Sequence, residues 1–221
     1  MSHTFAVIGA GPGLGAAVAR RFGREGFHVA LVARTQEKVD TLATELRREG
    51  IEAAGFAADV RDRAALTTAL TAAAEQLGPI EAVQYSPVPA REFMKSLLET
   101  TPEDLAGPLE FSVLGPVAVV QHVLPGMREL GRGTFLFVNG ASAVRPRGAV
   151  TGTSVAFAGE SAYAQLLHDE LAGSGIHVGQ LIIPRGIGGG EPSHEPDALA
   201  DRLWEIHSER GPFRTYAANL D

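Results

Sequence analysis

Apolar residues along the chain fall into short aliphatic runs, each followed by a longer stretch in which they recur at three- and four-residue spacing. The runs predict buried strands at Phe5–Gly9, His28–Val32, Glu52–Ala57, Ile80–Tyr85, Thr134–Val138 and Ile176–Leu181. The stretches between them predict helices at Gly13–Glu25, Gln36–Glu49, Arg61–Leu77, Glu103–Leu130 and Gly152–Ala172. Strict alternation of strand and helix argues for a parallel sheet of six or seven strands covered by helices on both faces, with ligands at its carboxyl edge.

Gly26 and Gly50 follow helical stretches, and Gly78-Pro79 closes the third before the next strand, which supports this register. Pro108, Gly115 and Pro116 interrupt Glu103–Leu130, predicting two helices with a break or a kinked continuation. Pro184–Pro196 is rich in Gly and Pro and reads as a loop, with a short helix over Pro196–Ser208.

Composition narrows the function. The 221 residues suit one α/β domain, and with no cysteine a thiolate metal site, a disulfide and a Cys nucleophile are excluded. A formal charge of −7 argues against a general nucleic-acid binder. Met1 to Thr4 run straight into the first strand, leaving no room for a signal segment, and no apolar run approaches transmembrane length. The expectation is a cytoplasmic protein with no membrane partner. The histidines show no helical metal-ligand spacing, so no metal is expected. Neither Gly140–Val144 nor Gly152–Ala156 completes a hydrolase nucleophile elbow.

The chemistry gathers at the first strand-to-helix turn, Gly9-Ala10-Gly11-Pro12-Gly13-Leu14-Gly15. A loop without Cβ atoms turns tightly and lets its amides approach a pyrophosphate, whose charge suits the helix N-terminus behind it. A plain tight turn is the alternative. The second strand ends at Ala33-Arg34, where an NAD-specific site presents a carboxylate. Arg34 offers a permanent charge to a 2′-phosphate, favouring NADP(H), unless it is only a solvated arginine at a helix start. Asp59, followed by Val60, serves either as an acceptor for an adenine amino group or as a turn and helix cap.

These residues resemble the short-chain dehydrogenase/reductase family. Gly9, Gly13 and Gly15 match its glycine spacing, and Arg34 and Asp59-Val60 fall where it selects NADP and holds adenine. The likeness runs on through Gly78–Glu81, Val123–Met127, Glu170–Ala172 and Gly175–Val178. It implies a Rossmann-type doubly wound sheet in three α/β/α layers, a single NADP(H)-binding domain over residues 1–221. It also implies cofactor contacts from Gly9, Gly11, Pro12, Gly13, Leu14, Gly15, Arg34, Asp59, Val60, Ser86 and Pro184. A homodimer or homotetramer built through Glu103–Leu130 and Gly152–Ala172 is implied as well.

The family's reaction is hydride transfer between a nicotinamide and a carbonyl or alcohol, driven by a tyrosine with a lysine four residues on, a serine and an asparagine. Here Thr153 stands at the tyrosine position, Phe157 at the lysine position and Ser112 at the asparagine position. Ser142 is the surviving candidate, placed to within a residue or two. The fourth strand ends in Tyr85-Ser86-Pro87-Val88 instead of Asn-Asn-Ala-Gly, and Pro-Gly after the sixth strand has become Pro184-Arg185. Phe157 supplies neither charge nor donor, and a threonine hydroxyl is too weak an acid to replace a phenol. Tyr85 and Tyr163 are the remaining phenols. Tyr85 either points at the nicotinamide pocket or packs its wall, and Tyr163 reads more readily as packing. Gly188–Gly190 is a lid or an exposed turn, and Arg145–Arg147 a basic patch or a solvated turn.

Three functions fit. The first is an NADP(H)-dependent oxidoreductase with an altered proton donor and an unknown carbonyl or alcohol substrate, the second a non-redox enzyme in the same pocket, and the third a non-catalytic nucleotide sensor or partner-binding protein.

Overall fold

The computed structural model describes residues 3–220; Met1 and Ser2, on which part of the chain-start reading falls, lie outside the described residues. Seven strands form one sheet in the order β3-β2-β1-β4-β5-β6-β7. In chain order they are β1 Thr4–Ile8, β2 His28–Ala33, β3 Ala53–Ala57, β4 Ile80–Tyr85, β5 Gly133–Gly140, β6 Ile176–Ile183 and β7 Arg214–Tyr216. Every pairing is parallel. The strand order reverses between β1 and β4, which opens a crevice at the carboxyl edge where such sheets bind ligands.

Side chains alternate across the sheet and divide the core in two. One face buries Ala6, Ile8, Val83, Phe135 and Phe137 under α3 (Arg63–Leu77), α5 (Gly115–Leu130) and α6 (Thr151–Glu170). The other buries Phe5, Val7, Leu31, Leu136 and Leu181 under α1 (Leu14–Arg24), α2 (Gln36–Arg48) and α7 (Pro196–Glu209). The three-layer architecture expected from the alternation is therefore present.

The segment 102–130 is a kinked continuation. Helix α4 (Pro102–Leu109), opened by a Thr101/Asp104 capping box, runs through a π turn at Glu110–Leu114 into α5. The cause lies in Pro116. In the π turn the Gly115 N–H reaches back to the Glu110 carbonyl, and the next residue, Pro116, has no N–H to offer Phe111. The Phe111 carbonyl is thus orphaned within the helix, and the Tyr85 hydroxyl donates to it. Gly115 makes room, since a Cβ there would lie 2.5 Å from that hydroxyl.

By length and composition this continuous helix, Pro102–Leu130, reaches the membrane-spanning range, contrary to the expectation from the sequence. Its α5 half packs on α3, β4 and β5, and its α4 half packs on α6. Two further differences concern short elements. β7 adds an edge strand of three residues beside β6, and the segment after β4 carries 3-10 turns at Arg91–Phe93 and Leu97–Glu99.

Candidate functional site

The glycine loop lies where β1 enters α1. Gly9 has φ +94°, and a Cβ on it would come within 2.6 Å of the Pro87 backbone, so the end of β1 and the end of β4 touch only because residue 9 is glycine. Gly15 packs on Ala10, where a Cβ would sit 3.0 Å from the Ala10 Cα. Gly11 and Gly13 are different, because a Cβ on either would meet nothing within 4 Å. Their surfaces face open space at the positive end of α1. Gly13 is the N-cap of that helix without a side-chain cap, which leaves first-turn N–H groups for an anion. Pro12 is exposed at the crest and Leu14 is buried beneath it.

At the end of β2, Arg34 is exposed and in no salt bridge among the described residues. Asp59 follows β3 and is held by Arg61 through its backbone N–H at 3.0 Å and its guanidinium at 3.1 Å. Burial would raise the Asp59 pKa, but the Arg61 hydrogen bonds and the charges of Arg61 and Arg34 bring it below the ordinary carboxylate range. Val60 is buried beside it. Gly11, Gly13, Arg34 and Asp59 thus line one end of the carboxyl edge with amides, a free cation and an ionised acceptor, a donor set that fits a phosphorylated adenine nucleotide.

The opposite end is built differently. Ser142 lies on a 3-10 turn, Ala141–Ala143, after β5, and Thr153 and Phe157 lie on the buried face of α6. The Thr153 hydroxyl is buried without a hydrogen-bond partner. Phe157 packs with Ala143 and Ile182, and Val144 and Leu220 close over them. Arg145, at the end of that turn, donates to the Leu220 carbonyl at 2.6 Å, so the segment after β7 is fastened across the ends of β5 and β6. Ser86 continues β4 by donating its N–H to the Ile8 carbonyl, and its hydroxyl accepts from Gln84 at 2.6 Å. Pro184 ends β6. Beyond it Gly188 donates its N–H to the His194 carbonyl at 2.8 Å, Gly190 donates to Glu195 at 2.8 Å, and Arg185 pairs with Glu191 at 2.6 Å. The glycine run is therefore a tethered turn.

Tyr85 does not reach this group of residues. Its ring is 2% exposed and its hydroxyl seals the π turn. Burial first, and then the charges of Glu160 and Asp59, push its pKa well above that of an ordinary phenol. Its side chain points into the helix layer because alternation along β4 sends residue 85 to the face that carries α3 and α5. Tyr163 packs against the same core.

Sequence reasoning missed a chain of buried polar groups on that face. Arg214 of β7 donates to Gln180 Oε1 at 2.7 Å and to the Ser161 hydroxyl at 2.8 Å, and Ser161 donates to the same Gln180 oxygen at 3.0 Å. Gln180 Nε2 in turn donates to Asn139 Oδ1 at 2.8 Å. The arginine fixes the sense of each amide, so Asn139 presents its Nδ2 onward, towards Glu160. Glu160, 1% exposed, is flanked by Asn139 and Ser112, yet Glu160 Oε1 and Asn139 Nδ2 each lack a hydrogen-bond partner. Burial pushes the Glu160 pKa up to about 8 against the opposing pull of Asn139 and Ser112. The available signal was a Glu three residues after Phe157, on the helix stripe that faces the sheet.

Known proteins share this architecture. The family model described as short chain dehydrogenase matches residues 3–188. A candidate ketoacyl reductase of Streptomyces coelicolor is 30% identical over 210 residues, covering 94% of this chain and 79% of its own length. Some other curated relatives that the chain matches extend well beyond it, since it spans about half of their length. Among solved structures, a short-chain dehydrogenase from Rhodopseudomonas palustris superposes with TM-score 0.86 at 26% identity, with 98% of each chain covered. The actinorhodin polyketide ketoreductase, in a variant solved with NADPH, superposes with TM-score 0.77 at 26% identity over 96% of this chain and 78% of that one. With its glycine loop and sheet in place and its family model covering most of the sequence, the chain belongs to the short chain dehydrogenase family.

Proposed function

We propose that the protein is an NADP(H)-dependent oxidoreductase acting on a small carbonyl or alcohol substrate through an atypical active site. The observation that carries this reading is the pairing of an open Gly11/Gly13 cradle at the α1 N-terminus with an unpaired Arg34 at the end of β2. Bound NADPH supplies the hydride. The chain's own part is to hold the pyrophosphate on loop amides, the 2′-phosphate on Arg34 and the adenine beside Asp59 and Val60. In this reading Ser86 and Pro184 border the nicotinamide end, and Ser142 is the hydroxyl that holds the substrate oxygen. The cofactor-bound actinorhodin ketoreductase supports this assignment.

Calorimetric titration with NADPH, NADP⁺, NADH and NAD⁺ tests it. Micromolar NADPH binding that weakens for NADH and for Arg34→Ala is the expected result, and a failure of all four nucleotides to bind rules the reading out.

A second reading, a non-redox enzyme or a nucleotide-sensing or partner-binding protein, is favoured by one observation. Phe157, where the family's lysine would stand, sits in an apolar cluster with Ala143 and Ile182 against which Leu220 packs. Tight nucleotide binding with no hydride transfer to any carbonyl would select it. We also propose a homodimer or homotetramer through α4 to α6, where Leu109, Leu114, Val155 and Leu166 are exposed, in a cytoplasmic setting without nucleic-acid or membrane partners. Sedimentation analysis tests the assembly.

A further inference from the structure

Glu160 is a buried carboxyl whose Oε1 has no hydrogen-bond partner, at the inner end of a polar chain that starts at a cation. Asn139, the last amide of that chain, lies near the carboxyl end of β5, three residues before Ser142 and one before Gly140, on which Phe157 rests. Glu160 is three residues after Phe157 on α6 and Asn139 is three residues before Ser142, so the unpartnered oxygen and the unpartnered Asn139 Nδ2 belong to the same end of the sheet as Phe157 and Ser142. Among the described residues the carboxyl accepts from no lysine or arginine, and the Arg214 charge is linked to it only through two amides.

The other ionisable groups around it are accounted for. Tyr85 on β4 is committed to Phe111, Glu110 on the π turn is exposed, and Asp104 of α4 is held by Lys95 at 2.7 Å. His177 lies at the amino end of β6 against His168, and Arg91 and Glu92 of the 3-10 turn beside α6 are exposed.

We propose that Glu160 is the proton store of this site, protonated while the reduced cofactor is bound and ionised when the oxidised, positively charged nicotinamide takes its place. The inference rests on the cofactor reading above. In carbonyl reduction a hydride, with its electron pair, bonds to the carbonyl carbon, a positive charge is left on the nicotinamide, and the carbonyl oxygen must take one proton. The Glu160 O–H bond would break to provide that proton, with Ser112 and Asn139 as the polar groups that flank the carboxyl. The carboxylate that remains balances the new positive charge until solvent reprotonates it as the oxidised cofactor leaves. The Asn139 N–H, turned towards Glu160 by Arg214 and Gln180, stabilises the carboxylate, and burial stabilises the acid. The two opposing influences keep both forms accessible. With phenylalanine in place of lysine at residue 157, no ammonium stands between the nicotinamide end and this carboxyl.

The test needs no substrate. Calorimetric titrations with NADP⁺ and with NADPH, in buffers of different ionisation enthalpy near neutral pH, count the protons exchanged on binding. NADP⁺ should release a larger fraction of a proton than NADPH, and the difference should vanish in Glu160→Gln. Difference infrared spectra of the wild type add a readout that survives a poorly folding variant, in which a protonated-carboxyl band present with NADPH is lost with NADP⁺. Equal proton exchange for the two forms, a difference retained in Glu160→Gln, or an unchanged carboxyl band overturns the proposal and leaves the cofactor reading standing. If neither nucleotide binds, the cofactor reading fails and this proposal falls with it.

Discussion

The two ends of the sheet's carboxyl edge are built on opposite principles. At the adenine end, the structure keeps polar groups exposed and space open. A Cβ on Gly11 or Gly13 would meet nothing within 4 Å, Arg34 has no ion pair among the described residues, and Asp59 is held in its ionised form by Arg61. At the nicotinamide end, space is filled and polar groups are sealed in. Phe157 lies in an apolar cluster with Ala143 and Ile182, the Thr153 hydroxyl is buried without a partner, and Tyr85 is spent on a helix carbonyl. On the function proposed above, the binding energy for a dinucleotide should come mainly from the first end. Any proton chemistry at the second end depends on groups that are buried instead of presented.

The largest effect is expected at Gly9, where the end of β1 meets the end of β4. Gly9→Val forces a β-branched residue to φ +94° and a Cβ into the Pro87 backbone. It should cost about 4 kcal/mol or more and abolish nucleotide binding, read by thermal melting and titration.

Next in size is Glu160→Gln. The folded pKa of Glu160 is raised from 4.5 to about 8, so its contribution to stability is fully present below the unfolded value and is lost progressively as pH rises to about 8. The glutamine variant should lose that decline. Its melting temperature relative to wild type should rise by several degrees between pH about 5 and about 8, measured by scanning calorimetry.

Arg34→Ala sharpens the adenine end. Removal of a charge-assisted contact worth about 1.5–3 kcal/mol should weaken NADPH binding by roughly 10- to 100-fold and leave NADH unchanged, with folding intact. Tyr85→Phe is the smallest. It strands the Phe111 carbonyl in the π turn and should cost about 1–2 kcal/mol in denaturant unfolding, with no change in NADPH affinity, because the hydroxyl serves the helix and not the ligand.

The placing of the glycine loop and of Arg34 at the carboxyl edge was legible in the sequence, because it is local. A glycine loop between a strand and a helix, and an arginine at the next strand's end, carry their meaning within a few residues of chain. The remainder depends on contacts between distant segments. Tyr85 looked like a pocket residue from its place at a strand end. Only the orphaned Phe111 carbonyl, created by Pro116 some thirty positions on, shows why a hydroxyl is needed there. The Arg214–Gln180–Asn139–Glu160 chain joins three strands and a helix, and no spacing rule connects those residues. β7 escaped prediction because Arg214–Tyr216 is too short and too polar to show a strand period, its pairing being set by β6.

The contrast between the ends is tested most directly by calorimetric titration with 2′-phospho-ADP-ribose, which carries the adenine, pyrophosphate and 2′-phosphate of the cofactor but no nicotinamide. If the adenine end supplies the binding, this fragment should bind within about 10-fold of NADPH, a difference of roughly 1.4 kcal/mol. Failure of the fragment to bind while NADPH binds tightly would place the affinity at the nicotinamide end and contradict the account.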